Sequence, residues 1–421
     1  MTSRRTVVIG AALSALSKAT LAADPLTLRV SLTPSIFAAM FDDMIRQFQA
    51  ANPHVRIKIA GSHRDQGDQF QATLREALVN GLPELSFQGF AYIPALKERG
   101  ITVRLDERLA KDARLTELGI AGPVLDSGKV GDEVHALGVG MSYPVLYVNA
   151  NLVRRVGADP ENLPRDWDGI LALAKKINGL GGNVQGAFFQ VGSGGNWTWI
   201  ALVESLGGKM MSQDGKLLFT GAEGMRSLEI IRAFGEAGQA RNDVSQDQAR
   251  TVFKSGVIGV MFDSGSSLAN FETVSKDTLD IRTLPLPMAK NGRIPPAGIA
   301  VLLHARDPKL QDAAWEFMTF AAGAKGQVLV GSGTGYIPAN LVTIKTPDLL
   351  GNYYKERKTS GAALASAEYA TAWFAFPGNN SIKVSYEIRD HLRELVTLKR
   401  SPQETMAAIE RSVRALVPNA K

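Results

Sequence analysis

The chain of 421 residues contains no cysteine, which excludes disulfides, thiolate metal sites and the lipid-modified cysteine that tethers many exported proteins. Histidine is also scarce. His54, His63, His135, His304 and His391 never come closer than nine positions, so no histidine-based metal motif is visible and no cofactor is expected. No run of five or more basic residues occurs. Lysine and arginine alternate with aspartate and glutamate as on a solvated surface, which excludes a nucleic-acid stripe and makes nucleic acid an unexpected partner. Nor is any apolar run near the roughly 20 residues of a membrane-spanning helix.

What is present is an ordinary globular composition, 45% hydrophobic and 21% charged, over a length that suits two lobes rather than one core. Residues 1–23 stand apart. Arg4 and Arg5 precede an apolar run from Thr6 to Leu16, and Thr20-Leu21-Ala22-Ala23 supplies small residues for cleavage, so this segment reads as an export signal cleaved near Ala22 and Ala23. Ser3-Arg4-Arg5-Thr6 fits a twin-arginine signal as well as a Sec signal. Without Arg4, Arg5 and Lys18, and with no acid lost, the formal charge of +6 becomes +3, a mild bias toward anions.

The remaining chain opens strand, helix, strand. Leu26–Val30 alternates, Phe37, Met40, Phe41, Met44, Ile45 and Phe48 form one helix face, Asn52-Pro53 stops it, and Val55–Ile59 alternates again. A second helix is expected from Asp68 to Asn80 with Gly81 at its C-cap, then a strand at 82–87. A helix at 167–178 starts after Asp166 as N-cap, Val257–Met261 reads as a strand, and Asp263-Ser264-Gly265-Ser266-Ser267 as a polar turn. The last helix carries a capping box, with Ser401, Pro402 and Glu404 at N-cap, N1 and N3. The βαβ opening favours mainly parallel, helix-covered sheets.

Enzyme signatures are weak. Gly207-Gly208-Lys209 lacks the hydroxyl residue and loop of a phosphate-binding P-loop, and Gly331-Ser332-Gly333-Thr334-Gly335 fits neither a nucleophile elbow nor a dinucleotide fingerprint. A secreted carbohydrate-active enzyme is the alternative class, although no particular pair of carboxylates stands out. On a helix start Trp197 and Trp199 point apart, so one can face a ligand while the other packs inside, and Trp197 is the candidate for the ligand. Trp373-Phe374-Ala375-Phe376-Pro377 is expected as lobe packing rather than a ligand platform.

Ser142-Tyr143-Pro144-Val145-Leu146-Tyr147-Val148-Asn149 followed by Pro164-Arg165-Asp166-Trp167 resembles the inter-lobe crossover of solute-binding family 1, the maltose- and glycerol-3-phosphate-binding proteins of ABC importers. Their pattern reads P-(V/I)-x-x-(L/I)-Y-Y-N-K and then P-x-T-W, and Val148 and Ala150 depart from it. Gly335-Tyr336-Ile337-Pro338 matches the family's G-Y-(L/I)-P. The resemblance implies a two-lobe, type II periplasmic-binding-protein-like α/β fold with a ligand cleft between lobes. It places a signal at 1–23, lobe I at 24–138 plus 287–334, and lobe II at 139–286 plus 335–421. It also implies a monomeric periplasmic protein that performs no chemistry, whose partners are a small polyol, sugar or phosphorylated polyol, two transmembrane permease subunits and a cytoplasmic ATPase.

Carried over residue by residue, the glycerol-3-phosphate branch implies ligand contacts at Ser142, Ser264, Gly298 and Tyr336, and an aromatic of the cleft near Trp197. A phosphate-pairing arginine falls on Lys383, which keeps the charge without the bidentate fork. A glutamate falls on Phe90 and a tyrosine on His63 or Arg64, so the glycerol end departs from the branch. A neutral sugar would instead draw on Trp197 and a carboxylate such as Asp65 or Asp263.

Overall fold

The computed structural model describes residues 24–421 other than 193, 276, 277 and 379; the expected signal at 1–23 lies outside the described residues. The opening is strand Leu26–Leu32, helix Ala38–Ala51 and strand Val55–Ser62, with the two strands paired in parallel. Helix Gln66–Leu78 comes next, capped by Asp65, whose carboxylate accepts from the Asp68 N–H at 2.8 Å. At its far end Asn80 rather than Gly81 takes the left-handed conformation, at φ 53°, while the Gly81 N–H returns to the Glu76 carbonyl. Asparagine tolerates that region because its short amide can bond locally.

Two sheets form. The larger runs in the order Ile337–Pro338, Ala136–Ser142, Ala297–Leu303, Leu85–Gly89, Leu26–Leu32, Val55–Ser62; the smaller runs Ile281–Leu284, Pro144–Asn149, Ile258–Ser264, Gln185–Phe189. Both are mixed, not mainly parallel at the level of neighbours. In the larger sheet four strands point one way, and Ala297–Leu303 enters between two of them antiparallel to both; in the smaller, Pro144–Asn149 does the same. A strand that crosses from one sheet to the other arrives from the opposite end, so it runs against the βαβ strands around it.

The expected lobe boundaries at 138/139, 286/287 and 334/335 compare with changes of sheet between Ser142 and Pro144, between Leu284 and Ala297, and beyond Pro338. Ile337–Pro338 still pairs with Gly140 and Met141; helix Gly361–Ala367 packs on the second sheet. Each sheet buries its own aromatic core. Phe41 lies 4.9 Å from Phe87 and Phe48 5.0 Å from Phe317 in the first, while Phe262 lies 4.6 Å from Phe189 and 6.2 Å from Trp167 in the second. Such pairs add about 0.5–1.5 kcal/mol each beyond the area they bury. Helix Trp167–Asn178 has the expected bounds and Asp166 cap, and the Ser401–Glu404 capping box forms reciprocally.

His304, at the end of its strand, is fully buried. Its Nδ1 lies 3.0 Å from the Ile101 carbonyl, to which it must donate, and its Nε2 lies 2.7 Å from the Ser86 hydroxyl, which donates to it when the ring is neutral. Burial pushes its pKa down to about 4 from 6.5. Below pH 6.5 the unfolded chain takes up a proton that the folded ring refuses, so stability is lost as pH falls through this window, by at most about 3 kcal/mol. The thermal midpoint should therefore drop between pH 7 and pH 4. A His304→Gln variant should start lower at pH 7 but decline less steeply; an equally steep decline would count against the buried neutral imidazole.

Candidate ligand-binding cleft

Residues of both lobes line one cleft of about 1220 Å³, larger than the roughly 300–1,000 Å³ usual for a small-molecule site. Its walls are built from the segments just past the C-terminal ends of strands. Pro34–Phe37, Arg64–Asp68 and Phe90–Tyr92 leave the three parallel strands of the larger sheet. Gln190–Gly192, Gly194 and Gly195, and Ser264, Ser266 and Ser267, lie at the ends of the two parallel strands of the smaller one. Ligands of open α/β sheets bind at this edge, where backbone groups at strand ends and helix starts are left without ladder partners.

The floor is a cluster of hydroxyls at the crossing strand. Ser142 and Ser264, each the last residue of its strand, have Oγ atoms 2.7 Å apart. Ser264 Oγ is 2.7 Å from Ser266 Oγ, and the Ser266 N–H donates to Ser142 Oγ at 3.1 Å. Tyr336 comes in from the larger sheet with its hydroxyl beside Ser266 and Gln66, and burial pushes its pKa up to about 12, so it remains a neutral donor. Gly298 closes that side. A Cβ there would stand 2.1 Å from the Gly140 carbonyl oxygen and 2.5 Å from Phe90 Cζ, so only glycine allows the phenyl ring to lie over this strand.

Five cations and five carboxylates line the cleft. All four arginines among them are held. Arg250 grips Asp263 through Nε at 2.7 Å and Nη2 at 3.1 Å, and Asp263 also accepts from Gln246 and from the Ser264 N–H. Arg393 forks onto Asp243 at 2.7–3.0 Å, Arg389 onto Asp390 at 2.8–2.9 Å while lying over the Tyr386 ring, and Arg64 reaches across the cleft to Asp247. Lys254 donates to Asn270. A guanidinium already forked onto a carboxylate offers a phosphate little, because the carboxylate stays beside it.

Of the residues singled out in the sequence, Ser142, Trp197, Ser264, Gly298, Tyr336, Asp65 and Phe90 all line this cleft. Lys383 and His63 do not. Helix Ser381–Val396 turns Ile382, Ser385, Tyr386, Arg389 and Arg393 toward the cleft at helical spacing, and Lys383 sits off that face, exposed. His63 lies at the strand end beside Ser31 and Gly61. Asp263 is at the cleft but wholly buried as the anchor of Arg250. Trp197 donates its indole N–H to the Pro295 carbonyl at 2.7 Å, whereas Trp199 is enclosed in the core against Phe219 and bonds Ser227. Gln190 and Trp373 also line the cleft. Gln190 comes after a strand too short to declare itself, and Trp373 belongs to the segment expected as packing.

Because Arg250 loses its counter-charge when Asp263 is removed, Asp263→Ala should destabilise the fold by about 3 kcal/mol, measured by urea unfolding. A change under about 1 kcal/mol would show that the pair behaves as an exposed one.

A profile described as bacterial extracellular solute-binding protein matches residues 43–351. The sn-glycerol-3-phosphate-binding periplasmic protein of Escherichia coli K12 is 22% identical over 291 residues, 65% of this chain and 65% of that protein; the match thus spans just under two thirds of that relative. Among solved structures, an ABC substrate-binding protein of Listeria monocytogenes in complex with cycloalternan superposes with a TM-score of 0.81 at 14% identity, covering 93% of this chain and 99% of that one. UgpB of Mycobacterium tuberculosis in complex with glycerophosphocholine gives 0.79 at 15%, covering 94% and 98%. These likenesses show the same fold. With a matching profile over most of its length, two mixed α/β sheets and a cleft at their strand ends, the chain belongs to the bacterial extracellular solute-binding protein family.

Proposed function

We propose that the protein is the solute-capturing component of an ABC importer and holds an uncharged, hydroxyl-rich solute, a sugar or polyol, in this cleft. The observation that carries the reading is the serine floor in a cleft whose arginines are all carboxylate-held. Ser142, Ser264 and Tyr336 donate to and accept from ligand hydroxyls, Asp65 accepts from others, and Trp197 and Phe90 supply the apolar surface under a carbon skeleton. A solute that touches both walls stabilises the closed arrangement by its differential affinity, and the closed surface is what a permease and its ATPase read. The chain acts outside the cytoplasm as a periplasmic monomer after removal of residues 1–23, without cofactor and without turning its solute over. The family and the solutes named for its structural neighbours support this reading. Among the described residues, no group of three or more metal-ligating side chains could hold a metal ion, and no helix is long and apolar enough to cross a membrane.

A phosphorylated polyol is the second reading, favoured by the E. coli relative's named ligand. The position of Lys383 outside the cleft weighs against it. A thermal-shift screen with glucose, maltose, ribitol, glycerol 3-phosphate and glycerophosphocholine at low and high salt separates the two. A neutral compound at about a hundred times its dissociation constant should add about 2.7 kcal/mol of stability at either salt concentration. Stabilisation by the phosphorylated compounds alone, shrinking as salt rises, would replace the neutral reading with the charged one.

A further inference from the structure

Two buried donors at the cleft have no protein acceptor among the described residues. Gln190 is 2% exposed. Its Oε1 accepts from the Gly192 N–H at 2.5 Å, which fixes the orientation of the amide and leaves Nε2 as a donor with no partner among the described residues. The indole Nε1 of Trp373 is likewise buried and without partner among the described residues. An unsatisfied buried donor costs about 1–3 kcal/mol, and the great majority of such groups in proteins are paired. Two of them on one cleft therefore point to a shared purpose.

Their setting is specific. Gly195 takes φ 65°, and a Cβ there would come 2.8 Å from Trp373 Cζ2 and 3.1 Å from Ala91 Cβ. The same loop brings Gly194 against the Tyr92 hydroxyl of the opposite wall. Trp373 is itself anchored two residues earlier, where the Thr371 N–H donates to the Ile294 carbonyl at 3.1 Å. Both donors are neutral, and the guanidinium groups of the cleft are already held by carboxylates. An uncharged acceptor fits them; a phosphate would find no free positive fork.

We infer that Gln190 Nε2 and Trp373 Nε1 are specificity-determining donors to uncharged oxygens of the solute, hydroxyl or ring oxygens that lie apart from the serine floor. The inference rests on the solute-binding reading and adds to it the requirement that the ligand present acceptors at this loop. A compound that fills only the floor leaves both donors unpaired and binds weakly.

Isothermal titration with maltose and ribitol as probes tests this on the wild type, Trp373→Phe and Gln190→Met. Each variant should weaken the probe that binds by about tenfold. Trp373→Phe removes the donor together with the benzo ring that packs on Gly195, so its ligand-free thermal midpoint should fall; Gln190→Met keeps the side-chain volume and reads the loss of the donor more cleanly. Wild-type affinity in both variants overturns the inference while leaving the solute-binding reading intact. So does wild-type affinity in Gln190→Met alone, because the loss at Trp373 is then lost packing rather than a lost donor. Absence of binding by either neutral probe to the wild type, with binding of glycerol 3-phosphate, removes the neutral-solute reading and this inference together.

Discussion

One stretch of backbone, from Ala136 to Asn149, belongs to both sheets. Its first half pairs with Ala297–Leu303 and Ile337–Pro338, its second with Ile258–Ser264 and Ile281–Leu284, and only Tyr143 lies between. Because a β-strand is stiff along its length and every residue in this run is buried, the run fixes the separation of the two sheets where it crosses between them. The cleft, the opposed strand ends and the hydroxyl floor are all consequences of that. Ser142 and Ser264 meet because the strands that end at them belong to different sheets joined at this point.

Much of this architecture can be read in the residues because local and long-range demands agree there. The Trp167–Asn178 helix has an Asp N-cap and a regular apolar face, and its bounds come out as expected. So does the capping box at Ser401. Where a contact across the chain decides, the sequence is mute. Nothing near Ile299 announces that its strand will enter the sheet antiparallel between two others, since alternation is the same in either direction. Asn80 displaced Gly81 at a helix end because both tolerate positive φ.

The cleft residues divide in the same way. Motif-borne positions such as Ser142 and Tyr336 sit at strand crossings and turns, where the backbone fixes them. Lys383 carries the charge that the related arginine has, yet one helical position is worth about 100° of rotation, enough to leave it outside while Arg389 and Arg393 lie within. The pairings of Arg393 with Asp243 and of Arg64 with Asp247 are invisible in the sequence, because the partners are 150 and 183 positions apart. Those pairs leave the cleft polar with its arginines already partnered, and the buried donors at Gln190 and Trp373 emerge only when the partners around them are known.

The whole reading depends on two rigid lobes closing around a guest and parting again. Small-angle X-ray scattering of the protein, without and then with a saturating neutral solute from the thermal screen, measures this directly. A smaller radius of gyration on saturation is the expected result, and a Ser142→Ala, Ser264→Ala double variant should lose that contraction along with affinity. An unchanged radius with the solute demonstrably bound would contradict closure.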